Sequence, residues 1–104
     1  MNELMNIENR NTLTSLEIAE VAGKRHDNVL ADIRDEISKL GKEKAALIFQ
    51  EGYYKDANNQ SRPMFLLNYK GVLQLGERYN AETRFKLIEK IEQLQKPMTV
   101  EDMI

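Results

Sequence analysis

The chain has 104 residues, a formal net charge of −2, a pI near 5.5 and 41% hydrophobic residues, which suits one domain with one core and leaves no room for a second. It contains no cysteine, so disulfides, thiolate metal sites and cysteine nucleophiles are excluded together. No stretch approaches the roughly 18–20 apolar residues of a membrane span, and the opening MNELMNIENRN lacks the cationic region, apolar run and cleavage site of a signal peptide.

In chain order, Leu4, Met5 and Ile7 form a brief apolar patch that predicts a short edge strand before the polar turn Glu8-Asn9-Arg10-Asn11. Thr14-x-x-Glu17 reads as a capping box, in which hydroxyl and carboxylate each satisfy a backbone N–H at a helix start. Behind it Leu16, Ile18, Ala19 and Ala22 supply a buried stripe for a helix near residues 15–22, and Gly23 is placed to end it in a left-handed conformation. Val29/Leu30, Ile33, Ile37 and Leu40 recur at helical spacing and predict a second helix over 26–40, stopped by Gly41. The β-prone runs Leu47-Ile48-Phe49, Tyr53-Tyr54 and Met64-Phe65-Leu66-Leu67 flank the turn formers Asp56 to Ser61. They predict a hairpin over about 47–67 with its tip near Asn58-Asn59 and Pro63 at a strand start or edge. Asn68 caps a third helix through Val72, Leu73 and Leu75. Asn80 caps a fourth, carrying Phe85, Leu87, Ile88, Ile91 and Leu94, so that helices cover most of 69–95. The predicted core is Leu16, Ile18, Ala19, Val29, Ile33, Ile37, Phe49, Leu66, Leu73, Phe85 and Ile88.

This order of short helix, tight turn, amphipathic helix, hairpin and helix predicts an α+β fold of winged helix-turn-helix type, with a small antiparallel β-hairpin as the wing. A helix-turn-helix needs a small residue where its helices cross, a residue tolerant of positive φ in the turn, and a branched apolar residue inside the second helix. Ala19, Gly23 and Val29 occupy those places. Recognition helices present their N-terminal exposed residues to base edges, here Lys24, Arg25, His26 and Asn28, with Arg34 further along to reach a phosphate. Arg and Lys pair with guanine acceptors and Asn with adenine. The hairpin tip adds Asn59, Gln60 and Arg62 as wing contacts. The acidic pI counts against DNA, but Lys24, Arg25 and Arg34 cluster while Glu36, Glu43, Glu89, Glu92, Glu101 and Asp102 lie along the rest of the chain. Charges further apart than about 8 Å are largely screened at physiological salt.

Plainer explanations stand beside these. Two short helices joined at a glycine are a common packing unit, and a polar hairpin tip is an ordinary solvated turn. His26, the lone histidine, is either a DNA-facing residue or a capping partner, and with no cysteine beside it a zinc-type site is not expected. Asp32, Asp35 and Glu36 read as a solvated helix face. Gly71 and Gly76, inside a helical pattern, read as points of close packing, and Tyr53, Tyr54, Tyr69 and Phe65 as core or hairpin face. No nucleophile, base and orienting group come together, so an enzyme and a cofactor are not expected.

At TSLEIAEVAGKRHDNVLADIR the chain resembles the phage regulatory protein Rha family, through Thr14, Ser15, Ile18, Ala19, Gly23, Lys24, His26, Val29, Asp32 and Ile33. The resemblance continues through Phe49, Tyr53-Tyr54, Pro63 to Leu67 and Lys70-Gly71, over roughly residues 12–90. It implies a temperate-phage regulator acting in the bacterial host cytoplasm on operator DNA, on a repressor, or on both. MNELMNI looks like the start of many phage antirepressors, and PMTVEDMI like a linker. Residues 1–96 are accordingly expected to be the Rha-like domain, and 97–104 a linker or the start of a separate C-terminal effector domain.

Two classes of function stay open: sequence-specific binding of double-stranded DNA in lysis–lysogeny control, or an antirepressor module that grips a phage repressor protein. Because one short recognition helix reads few base pairs, a homodimer is expected too, paired through the last helix at Ile88, Ile91 and Leu94.

Overall fold

The computed structural model describes residues 11–95. Within them the chain runs β1 (Leu13–Thr14), α1 (Ser15–Ala22), α2 (His26–Leu40), α3 (Lys42–Ala46), β2 (Phe49–Lys55), β3 (Ser61–Leu67), α4 (Tyr69–Gly76) and α5 (Ala81–Gln95). The fold is α+β, five helices with a three-stranded antiparallel sheet of order β1-β3-β2. The strand expected at Leu4–Ile7 and the segment 97–104 lie outside the described residues.

Local chemistry explains most boundaries. The Thr14 hydroxyl accepts from Glu17 N–H at 3.1 Å, and Glu17 accepts from Thr14 N–H at 2.9 Å, so the capping box starts α1. Gly23 takes φ 65°, where its N–H and that of Lys24 satisfy the carbonyls of Glu20 and Ala19. Asn68 and Asn80 cap α4 and α5 by accepting from Gly71 N–H and Thr83 N–H.

Two elements escape the periodic reading. Leu13–Thr14 forms β1, pairing Leu13 with Leu67 and Thr14 with Leu66, and two residues carry no period. The polar run Lys42–Ala46 closes one helical turn after Gly41 and buries Ala45. The hairpin therefore begins at Phe49 and not at Leu47, which is left 75% exposed.

Helices and sheet share one core. Leu13, Ile18, Val29, Ile33, Leu67, Val72, Leu75, Leu87 and Ile91 are all fully buried, joined by Ala19, Phe49 and Phe65. Six of the predicted core residues lie in the expected element but are not fully buried. On α5 the inward pair is Leu87 and Ile91, one turn apart. Phe85, two residues earlier and so about 200° around the axis, is 60% exposed, and Ile88 is half-buried. On β3 alternation turns Phe65 and Leu67 inward and leaves Leu66 on the other face. On α4 the core residues are Val72 and Leu75, with Leu73 only half-buried. Leu16 and Ile37 are half-buried too, at the margin of their helices' inner faces. Gly71 is required by packing, since a Cβ there would sit 2.3 Å from the Ile48 carbonyl oxygen.

Candidate nucleic-acid interface

The start of α2 and the β2–β3 hairpin are tied together through one buried serine. Ser15, the first residue of α1, is fully buried, and its Oγ accepts from Phe65 N–H on β3 at 2.9 Å. The same oxygen lies 2.8 Å from His26 Nε2 at the first turn of α2. A hydroxyl that accepts from one group still has its own proton to give, and an unprotonated Nε2 takes it when the ring proton sits on Nδ1. Burial is the largest influence on His26 and pushes the imidazole below its usual range; Asp27 opposes this and Arg34 adds to it. The ring meets Tyr54 of β2 edge-on at 5.8 Å between centroids. His26 is thus a joint between helix and hairpin, half-buried rather than presented to solvent.

The predicted contact residues divide around this joint. Arg25 and Asn28 are exposed at the start of α2, and Arg34 is exposed two turns along it. Arg62 faces Tyr54 across the hairpin, which places it one strand from the His26 contact. Asn59 and Gln60 are exposed at the tip, Asn59 at φ 62°. Lys24 belongs elsewhere: its Nζ lies 3.3 Å from Asp32 and 4.7 Å from the centre of the Tyr79 ring, against the α4–α5 connection.

The cations here are largely matched. Arg25 pairs with Asp27 at 3.0 Å, both well exposed, and Arg62 Nε donates to Asp56 at 2.8 Å. Asp56 organises the whole tip: its other oxygen accepts from the N–H groups of Asn58 and Gln60, both at 2.9 Å. The Arg62 bond is the largest of the influences that hold the Asp56 carboxyl below the usual range, and the Gln60 and Asn58 bonds act with it.

The acidic face expected on α2 is not simply solvated. Arg78, just past α4, donates to Asp35 at 2.8 Å and to Glu36 at 2.9 Å, and reaches Asp32 at 3.5 Å. Glu36 is buried and also accepts from Gln74 at 2.9 Å, while Tyr79 OH donates to Asp32 at 3.1 Å. These bonds clamp α2 to α4. Among the described residues no group of three or more His, Asp or Glu is arranged to hold a metal, and no helix is long and apolar enough to cross a membrane. Ser15, Tyr54 and Asp56 were missed as parts of the site. Asp56 at the start of a turn carried a signal, whereas the partners of Ser15 and Tyr54 lie far off in sequence.

The fold is thus an α+β domain in which two helices meet at a glycine turn beside a hairpin. Residues 13–96 match the family described as phage regulatory protein Rha, and the chain belongs to that family. It is similar to an uncharacterized protein of Haemophilus influenzae, 32% identical over 83 residues, which are 79% of this chain and 48% of that protein. The chain thus spans about half the length of that relative. No solved structure matches it.

Proposed function

We propose that this domain is the DNA-binding module of a non-enzymatic phage regulator, a winged helix-turn-helix in which α1 and α2 form the helix-turn-helix and the β2–β3 hairpin is the wing. The observation that carries this is the joint at Ser15 and His26, which fixes the exposed first turn of α2 beside the hairpin. Arg25 and Asn28 then meet base edges, Arg34 and Arg62 meet phosphates, and Asn59 and Gln60 approach the backbone from the tip. His26 positions the helix, and Lys24 braces its start against Asp32 and Tyr79. The regulatory role in lysis–lysogeny control, in the host cytoplasm, is drawn from the family.

The ion pairs do not bar this. Exposed pairs such as Arg25–Asp27 are worth little in water, so a phosphate or a guanine displaces the carboxylate at small cost. The same pairs, with the net charge of −2, do favour a second reading, an antirepressor module that binds a phage repressor. A salt titration of binding to the phage's own early control region separates them. Two phosphate contacts, from Arg34 and Arg62, give a slope of log affinity against log salt of about −2. No DNA binding even at low salt, with a repressor captured by the same protein, would overturn the DNA assignment.

A further inference from the structure

The outer edge of β2 carries a self-complementary pattern. Among the described residues β2 has β3 on one side and no strand on the other. The direction of its backbone groups follows from three observations. Tyr53 faces Pro63, which has no N–H to give. Asp56 N–H donates across the hairpin to the Gln60 carbonyl at 3.0 Å. Phe65, opposite Glu51, turns its N–H away from β2 to Ser15. In an antiparallel ladder bonded and non-bonded pairs alternate, so Glu51, Tyr53 and Lys55 aim their N–H and C=O groups outward, at the free edge.

We propose that this edge pairs antiparallel with the same edge of a second copy of the chain, about a two-fold axis at Tyr53. In that register Tyr53 opposes Tyr53 of the second copy, and Glu51 of each copy opposes Lys55 of the other. All three pairs exchange both of their backbone bonds. The two charge pairs are opposite in sign, and the Tyr53 side chain, 67% exposed in the single chain, gains an aromatic cross-strand neighbour. Edges are commonly guarded by charged side chains, lysine above all, by proline or by a bulge; here the proline is on β3, and the edge charges Glu51 and Lys55 attract across the axis instead of repelling. The result is an isologous, six-stranded sheet whose two hairpin tips point away from each other and stay free. This surface replaces the α5 face as the expected dimer contact, since Ile91 is committed to the core of its own chain.

Sedimentation and cross-linking without DNA test the pairing, so its failure leaves the DNA assignment untouched. We expect a weak dimer at submillimolar protein. Glu51→Lys and Lys55→Glu should each raise its dissociation constant about tenfold, with melting unchanged, and the double variant should restore the parent value. The chain has no cysteine, so Tyr53→Cys reports the axis directly. Its Cα atoms would sit about 5.5 Å apart, within disulfide reach, and mild oxidation should give a covalent dimer, whereas Asn58→Cys at the tip should not. A monomer at all concentrations, a double variant no better than the singles, or equal cross-linking at both positions overturns the pairing. So does a dimer abolished by Phe85→Ser and indifferent to the β2 charges.

Discussion

Replacing Ser15 by alanine removes one oxygen that serves two elements at once. The Phe65 N–H loses its acceptor in a buried setting, and an unsatisfied buried donor costs about 1–3 kcal/mol. His26 loses its partner too, but the half-buried ring reaches water, so it adds little. The Oγ is small and its removal leaves little cavity, which puts the total at about 2 kcal/mol. For a domain of this size 1 kcal/mol moves the melting temperature by roughly 4–8 °C, so Ser15→Ala should melt about 10 °C below the parent in calorimetry or circular dichroism. Ser38→Ala, on the exposed side of α2, is the control and should not shift. A Ser15→Ala melt within about 3 °C of the parent would refute the joint.

Three further outcomes follow from the packing. Gly71→Ala drives a methyl into the Ile48 carbonyl and should cost about 3 kcal/mol by denaturant titration, whereas at Gly76 the obstacle is the flexible Arg84 side chain and the loss should be smaller. Leu87→Ala should cost about 2–5 kcal/mol, and Phe85→Ser almost nothing; the reverse order would mean that α5 is rotated. Arg78 should make stability pH-dependent. Its bond, with that of Lys39, holds Asp35 below the usual 3.8; burial pushes Glu36 up, but the bonds from Gln74 and Arg78 outweigh this and hold it below 4.5. Both carboxylates are lower in the fold than unfolded, so their contribution is present above those ordinary values and lost as pH falls through the lowered ones. The gap in melting temperature between the parent and Arg78→Ala should be wide at pH 6 and close as the pH drops below about 4; a constant gap would remove Arg78 from the cluster.

Sequence legibility tracked the range of the interaction. Thr14, Gly23, Asn68 and Asn80 act within a few residues of themselves, so the ends of α1, α4 and α5 were readable. The tip at Asn58-Asn59 was readable because Asp56 folds it locally. Helical period identified α5 but not its rotation, because Leu87, Ile88 and Ile91 fit an apolar face as well as Phe85 and Ile88 do; only packing against α4 and α1 decides. The site split the same way. The exposed Arg25, Asn28, Arg34 and Arg62 followed from helix and turn positions. That Lys24 turns to Asp32 and Tyr79, and that Arg78 gathers Asp32, Asp35 and Glu36, needed α4 and α5 folded back on α2, contacts some 40 residues apart in the chain. Ser15 stood out only as part of the family motif, and its bond to Phe65 spans 50 residues.

The DNA assignment is tested most directly by the affinities of Arg25→Ala and Arg62→Ala for an operator fragment and for random DNA, at one fixed salt concentration. A cation paired with a base discriminates by about 1–3 kcal/mol, whereas one on a phosphate contributes equally to every sequence. Arg25→Ala should therefore lose roughly tenfold or more on the operator and much less on random DNA, and Arg62→Ala should lose about the same on both, with the melting of each unchanged. If both variants bind both DNAs as the parent does, the first turn of α2 and the hairpin are not the DNA-binding surface.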